Sequence, residues 1–150
     1  MARRVTWLCD TNVWLALALS HHRHHGAAAR WFDAVTERDA VIFCRATQQS
    51  LLRLLTSAAV FAPYGNTPLT NAQAWDAYEA FTADDRIVFR AEPSGVGTGW
   101  SQSACRDAAS PKLWMDAYLE SFARVGGHTL VTTDAAFTQF ADLDPLVLSS

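Results

Sequence analysis

Two apolar, β-rich runs that each lead into an aspartate constrain this chain more than any other feature. Val5–Cys9 runs into Asp10, and His128–Thr132 runs on to Asp134. Short continuous runs of this kind suit strands covered on both faces, as in a parallel sheet. Helical stretches separate these runs and others like them. Thr11 or Asn12 can cap a helix through Trp14–Leu19, and Gly26–Val35 continues helically with Ala28, Trp31 and Val35 on one broad face. Val41–Cys44 is a second short strand, and Thr47–Val60 reads as one helix, apolar at Leu51, Leu52, Leu54, Leu55 and Ala59. Pro63, Gly65 and Pro68 then break the chain. Thr70 or Asn71 starts a helix through Phe81, and Arg86–Phe89 returns as a strand. Pro93–Thr98 reads as a glycine-bearing loop. Ser110-Pro111 opens a helix that runs to Val125 and stops at Gly126-Gly127. Ala135–Phe140 is a short helix and Pro145–Leu148 a last strand. Strands alternating with helices predict an α/β fold with a mainly parallel central sheet, covered on both faces.

No repeat or low-complexity linker divides the chain, so residues 1–150 read as one domain. A chain of this length buries about two-thirds of its unfolded surface without needing staples. Six Trp and eight Phe predict a bulky aromatic core. Cys9, Cys44 and Cys105 are scattered and odd in number, which argues for reduced thiols rather than a disulfide frame or a zinc site. Arg3 and Arg4 precede an apolar stretch as in an export signal, but Asp10 and Asn12 interrupt it and Trp14–Leu19 is too short to span a bilayer. The expectation is a cytoplasmic protein without a membrane segment. Net charge is −3, yet residues 1–53 carry +3 and residues 54–150 carry −6. An arginine-richer first third leaves room for a phosphate-bearing partner.

In open α/β sheets, ligands bind outside the carboxyl ends of the strands. Asp10 and Asp134 sit at two such ends, and Asp116 lies in the helix that begins near Pro111. If the three carboxylates converge, they repel one another unless a cation lies between them. Hard oxygen ligands with spare water positions suit Mg²⁺ or Mn²⁺, and such ions activate water and stabilise the leaving oxygen of a phosphodiester. Taken singly, Asp10 and Asp134 are equally well explained as helix N-caps. Periodicity alone does not decide between the two.

The wording of the motifs goes further. CDTNVWLALAL, WMDAYLESFA and TLVTTDAAF resemble, in order, three signatures of PIN domains, and RATQQSLLRLLTS resembles a helix of one group of bacterial VapC toxins. The resemblance covers nearly the whole chain. It implies a three-layer α/β/α sandwich and a Mg²⁺- or Mn²⁺-dependent ribonuclease. It also implies a small VapB antitoxin partner that blocks the site, and commonly a homodimer. By the same resemblance Asp10, Asp116 and Asp134 form the acidic cluster, and Asn12 and Thr132 fall on polar positions that hold the acids and bound water.

One departure stands out. PIN domains usually carry a glutamate on the helix after the second strand, where this chain has Gln48, Gln49 and Ser50. An amide oxygen accepts hydrogen bonds but brings no charge. Glu120, four residues after Asp116 on the same helix face, is a candidate substitute; a solvated surface glutamate is the plainer reading. His21, His22, His24 and His25 read as a solvated loop entering the second helix. Gly95, Gly97 and Gly99 lack the Gly-Lys-Ser/Thr of a phosphate loop. Arg53 can contact RNA or pair with a buried acid, and Phe61, Trp75 and Trp100 are candidate exposed anchors for a partner. A haloacid-dehalogenase-type phosphatase would need an acid at position 12, which is Asn. A PIN fold kept only for binding is the non-enzymatic alternative.

Overall fold

The computed structural model describes residues 4–149; Arg3 lies outside them. Five strands, β1 (Thr6–Cys9), β2 (Ala40–Phe43), β3 (Ile87–Phe89), β4 (Thr129–Thr132) and β5 (Leu146–Val147), form one sheet in the order β3-β2-β1-β4-β5. Every pairing is parallel. Strands this short, buried and rich in Val, Ile and Leu need no polar face, because helices cover both sides.

The strand period of two divides the core. Leu8, Ile42 and Leu130 stand side by side across β1, β2 and β4 and share one core with Leu113, Ala117 and Phe122. Their neighbours Cys9, Val41, Phe43 and Val131 enter a second core with Trp14, Leu51, Leu55 and Tyr78. The aromatic content is spent largely there: the Trp14 and Phe43 rings stack at 3.7 Å between centroids. The second core belongs to helices α1 (Thr11–Ala18), α2 (His25–Ala34), α3 (Arg45–Leu55), α4 (Ala58–Phe61) and α5 (Asn71–Thr82), with α6 (Val96–Ala104) and α7 (Pro111–Gly126) on the opposite face. The result is a three-layer α/β/α sandwich. Among the described residues, no helix is long and apolar enough to cross a membrane.

The structure redraws two of the segments read from the sequence. The Thr47–Val60 helix is two elements, since α3 ends at Leu55 and α4 begins at Ala58. The Pro93–Thr98 loop is instead the entry to α6, which contains Gly97 and Gly99. Glycine is a poor helix former, which hid this helix. At Gly99 packing overrides propensity: a Cβ there would lie 2.6 Å from Ser121 Oγ and 2.7 Å from an Arg124 nitrogen. The bare Cα leaves room for the Ser121 and Arg124 side-chain ends where α6 meets α7. The end of α7 is as expected, with Gly127 at φ +71°, a conformation that glycine adopts without a Cβ penalty.

Phe61 is buried, not an exposed anchor, because α4 turns it into the second core. Trp100 is partly covered by Trp114 and Tyr118, and its Nε1 donates to the Trp114 carbonyl at 2.8 Å. Trp75 is exposed as expected, and Trp114 is the more exposed tryptophan. Cys9 and Cys44 are buried free thiols, whereas Cys105 is exposed. In the histidine segment, His25 opens α2 with Nδ1 2.7 Å from the Ala16 carbonyl, and His21 stacks on Tyr64.

Candidate active site

The chain leaves β1 for β2 on one side, while β4 lies on the other. Such a reversal opens a crevice at the carboxyl ends of the strands. Asp10 follows β1 directly, and its backbone N–H donates to the Val131 carbonyl of β4 at 2.8 Å. Asp134 follows β4 by two residues. Asp116 arrives from the third direction, one turn into α7, whose start is set by Ser110 and Pro111.

Lys112 and Thr132 link these three acids. Asp10 and Asp116 line one groove of about 380 Å³ with Thr11, Ser50, Arg53 and Lys112. Thr132, fully buried, ties the strand ends together: its hydroxyl donates to Asp10 Oδ2 at 2.9 Å and accepts from the Asp134 backbone N–H at 3.0 Å. The Lys112 ammonium lies 2.5 Å from Asp116 Oδ2 and 2.7 Å from Asp134 Oδ2. Sequence reading missed this lysine as part of the site.

The electrostatics follow from burial and neighbours. Burial pushes the Asp10 carboxyl up to about 6; the nearby Asp116 charge adds to this, and the Thr132 hydrogen bond opposes it. Asp134 is held below the usual carboxylate range, first by Lys112 and then by the Ala136 backbone N–H. Burial pulls Lys112 down, but its hydrogen bonds to Asp116 and Asp134 outweigh that and raise it. The cap alternative is half right. Asp134 caps the 3₁₀ turn at Ala135–Gln139 by accepting from Ala136 N, whereas Asp10 stands at the N-cap position of α1 without a side-chain capping bond.

The supporting candidates sort differently from expectation. Asn12 is exposed and Thr132 is at the centre. Ser50 lines the groove, while Gln48 is buried away from it with Oε1 accepting from Arg45 at 2.5 Å. Glu120 is neither solvated nor joined to the cluster. It is 3% exposed and is committed to Arg124 Nε at 2.8 Å and to the Ser103 hydroxyl of α6 at 3.4 Å. Arg53 is exposed at the groove lip, and among the described residues it makes no ion pair with a buried acid.

The donor set, three carboxylates with no Cys or His, suits a hard divalent cation such as Mg²⁺ or Mn²⁺. Among the described residues, no three Asp, Glu, His or Cys side chains are gathered tightly enough to enclose a metal as they stand. The ammonium bridging Asp116 and Asp134 occupies the position between them. The residues therefore fit the ion in the chemistry of their donors.

Known proteins share this architecture. VapBC2 from Rickettsia felis bound to a DNA fragment from their promoter superposes with a TM-score of 0.70, covering 97% of this chain and 100% of that one at 11% identity. VapC20 of Mycobacterium tuberculosis, a sarcin-ricin loop cleaving toxin, superposes with a TM-score of 0.63, covering 93% of this chain and 99% of that one at 16% identity. In sequence, Ribonuclease VapC41 of Mycobacterium tuberculosis strain H37Rv is 55% identical over 143 residues, 95% of this chain and 98% of the relative. Ribonuclease VapC29 of the same strain is 32% identical over 131 residues, 87% of each. With residues 7–143 matching the PIN domain and an acid cluster at the strand ends, this chain belongs to the PIN-domain family.

Proposed function

We propose that this protein is a Mg²⁺- or Mn²⁺-dependent endoribonuclease, acting as the VapC toxin of a VapBC-type toxin–antitoxin pair in the cytoplasm. The observation that carries the reading is a groove lined by Asp10 and Asp116, with Asp134 joined to Asp116 through Lys112 and to Asp10 through Thr132. The 55% identity to Ribonuclease VapC41 over nearly the full chain supports the substrate class.

Asp10, Asp116 and Asp134 supply the oxygens that would hold the ion, and Thr132 fixes the orientation of Asp10 through its hydroxyl. When bound, a divalent ion there supplies the charge that activates water and stabilises the leaving oxygen of a phosphodiester. Arg53 and Ser50 of α3 line the same groove, and in this reading they would receive the backbone phosphates of RNA. Burial of Asp10 and Asp116 keeps bulk water from the inner carboxylates and strengthens every charge interaction within the site.

A groove lined by carboxylates favours a protein partner that brings a basic group to them. The VapB-type antitoxin in this reading inserts an Arg or Lys from its tail, forming a charge-assisted pair in place of the metal. Self-association as a homodimer follows from the same family reading, and sedimentation of the purified chain tests it.

The test is incubation of purified protein with total RNA in Mg²⁺, Mn²⁺ or EDTA, wild type against Asp10→Asn. Cleavage should require the ion and should vanish with the substitution. Ion-independent cleavage, or cleavage that survives the substitution, refutes the site. No cleavage together with tight binding to the VapB-type antitoxin establishes a binding module instead.

A further inference from the structure

We propose that Lys112 is a built-in counter-cation of the aspartate cluster: it holds the metal-free site together and is displaced when a divalent ion enters. The proposal rests on the metal reading above and adds a competitor inside the same chain.

Lys112 is the only lysine in the sequence, the other eleven cationic side chains being Arg. It is also badly placed as a helix residue, second in α7, where the positive end of the helix dipole disfavours a cation. Its contacts with Asp116 and Asp134 offset that cost. The two acceptors come from different elements, so the ammonium cross-links α7 to the end of β4. It stands between two proposed ligands, and as they stand no three ligating side chains of the described residues enclose a metal.

Exposure shows how it can leave. The Lys112 side chain is 63% exposed while that of Asp116 is 10% exposed. Most of the side chain is exposed while its head reaches the carboxylates, 5.8 Å from the Phe137 ring centroid, so rotation of the side chain carries the ammonium out without moving α7. Lysine suits this exchange because it is a compact, strongly hydrated charge on a flexible stem. The planar guanidinium of arginine would grip a carboxylate through two bonds and leave less readily.

Three forms of the full chain test the exchange: wild type, Lys112→Met and Lys112→Arg. Mn²⁺ binding is measured by calorimetry and thermal unfolding is followed in EDTA. Lys112→Met should bind Mn²⁺ about tenfold more tightly or better, since part-exposed ion pairs no longer have to be broken first. The same variant should unfold at a lower temperature than wild type in EDTA and gain more on Mn²⁺ addition. Lys112→Arg should keep the EDTA stability and bind Mn²⁺ no more tightly than wild type. If Lys112→Met binds Mn²⁺ as wild type does, the exchange is refuted while the metal reading stands. Weaker binding by Lys112→Met refutes it too, because the lysine then belongs to the loaded site. Absence of Mn²⁺ binding in all three overturns the metal reading and the exchange together.

Discussion

Replacing Thr132 by valine removes one hydroxyl and almost no volume from the point where the sheet meets the acid cluster. The hydroxyl makes two bonds, as donor to Asp10 Oδ2 and as acceptor from the Asp134 backbone N–H, and the residue is fully buried. A hydrogen bond to a charged acceptor contributes about 1.5–3 kcal/mol, and an orphaned N–H adds roughly 1 kcal/mol when water reaches it only in part. Thr132→Val should therefore cost about 2–4 kcal/mol, which for a chain of this size is a fall in Tm of about 5–15 °C. The loss should also appear in metal binding. Partners that orient a metal ligand typically account for about 10–100-fold in affinity. Thermal unfolding in EDTA reads the first effect, and Mn²⁺ calorimetry reads the second. Thr132→Ser, which keeps the hydroxyl, should recover most of both. If Thr132→Val matches wild type in Tm and in Mn²⁺ affinity, neither bond contributes and Asp10 is positioned by something else. If Tm falls while Mn²⁺ affinity holds, the hydroxyl serves the fold alone.

Three further outcomes follow from neighbouring contacts. Ser50→Glu should tighten Mn²⁺ binding, because Ser50 lines the groove; Gln48→Glu should leave it nearly unchanged, because Gln48 faces Arg45. Calorimetry on both variants checks this, and equal effects would misplace α3. Arg124→Met should destabilise the fold by about 3 kcal/mol, because it strands the buried Glu120 carboxylate with only Ser103 as partner. Mn²⁺ affinity should not change with it, and a large change would return Glu120 to the site. His128 is depressed by burial and then by Arg90, so its folded pKa lies below its unfolded value. Its neutral form is the one the fold accepts, with Nδ1 2.7 Å from the Thr6 hydroxyl. This stability is present above about pH 6.5 and is lost as pH falls below it. Denaturant unfolding between pH 7.5 and 5 should show less acid sensitivity in His128→Gln than in wild type.

How much of this was legible in the sequence depends on whether a contact is local. The strand runs ending at Asp10 and near Asp134 were readable because buried parallel strands need uninterrupted apolar residues. Pro111 and Gly127 marked both ends of α7, and so the register of Asp116 within it. Helix α6 was not readable, because Gly97 and Gly99 lower its propensity and the compensation, close approach to Ser121 and Arg124, lies in another element. Glu120 misled for the same reason. Spacing put it on the Asp116 face of α7, but only the tertiary structure shows Arg124 and Ser103 already using its oxygens.

Lys112 is the sharpest case. Lysine four residues before an aspartate on a helix reads as a solvated surface pair of little consequence. What changes its meaning is Asp134, a residue 22 positions later on a strand end, which makes the pair a three-way cluster. An exposed pair contributes little because water replaces either partner at small cost. In this cluster, removing the cation leaves the Asp116 and Asp134 carboxylates without the positive charge that bridges them, and Asp116 is only 10% exposed to water. The same lysine is thus nearly neutral as a helix pair and central as the counter-charge of a sheet edge. The distinction rests on the β4 crossover that delivers Asp134 rather than on any spacing within α7.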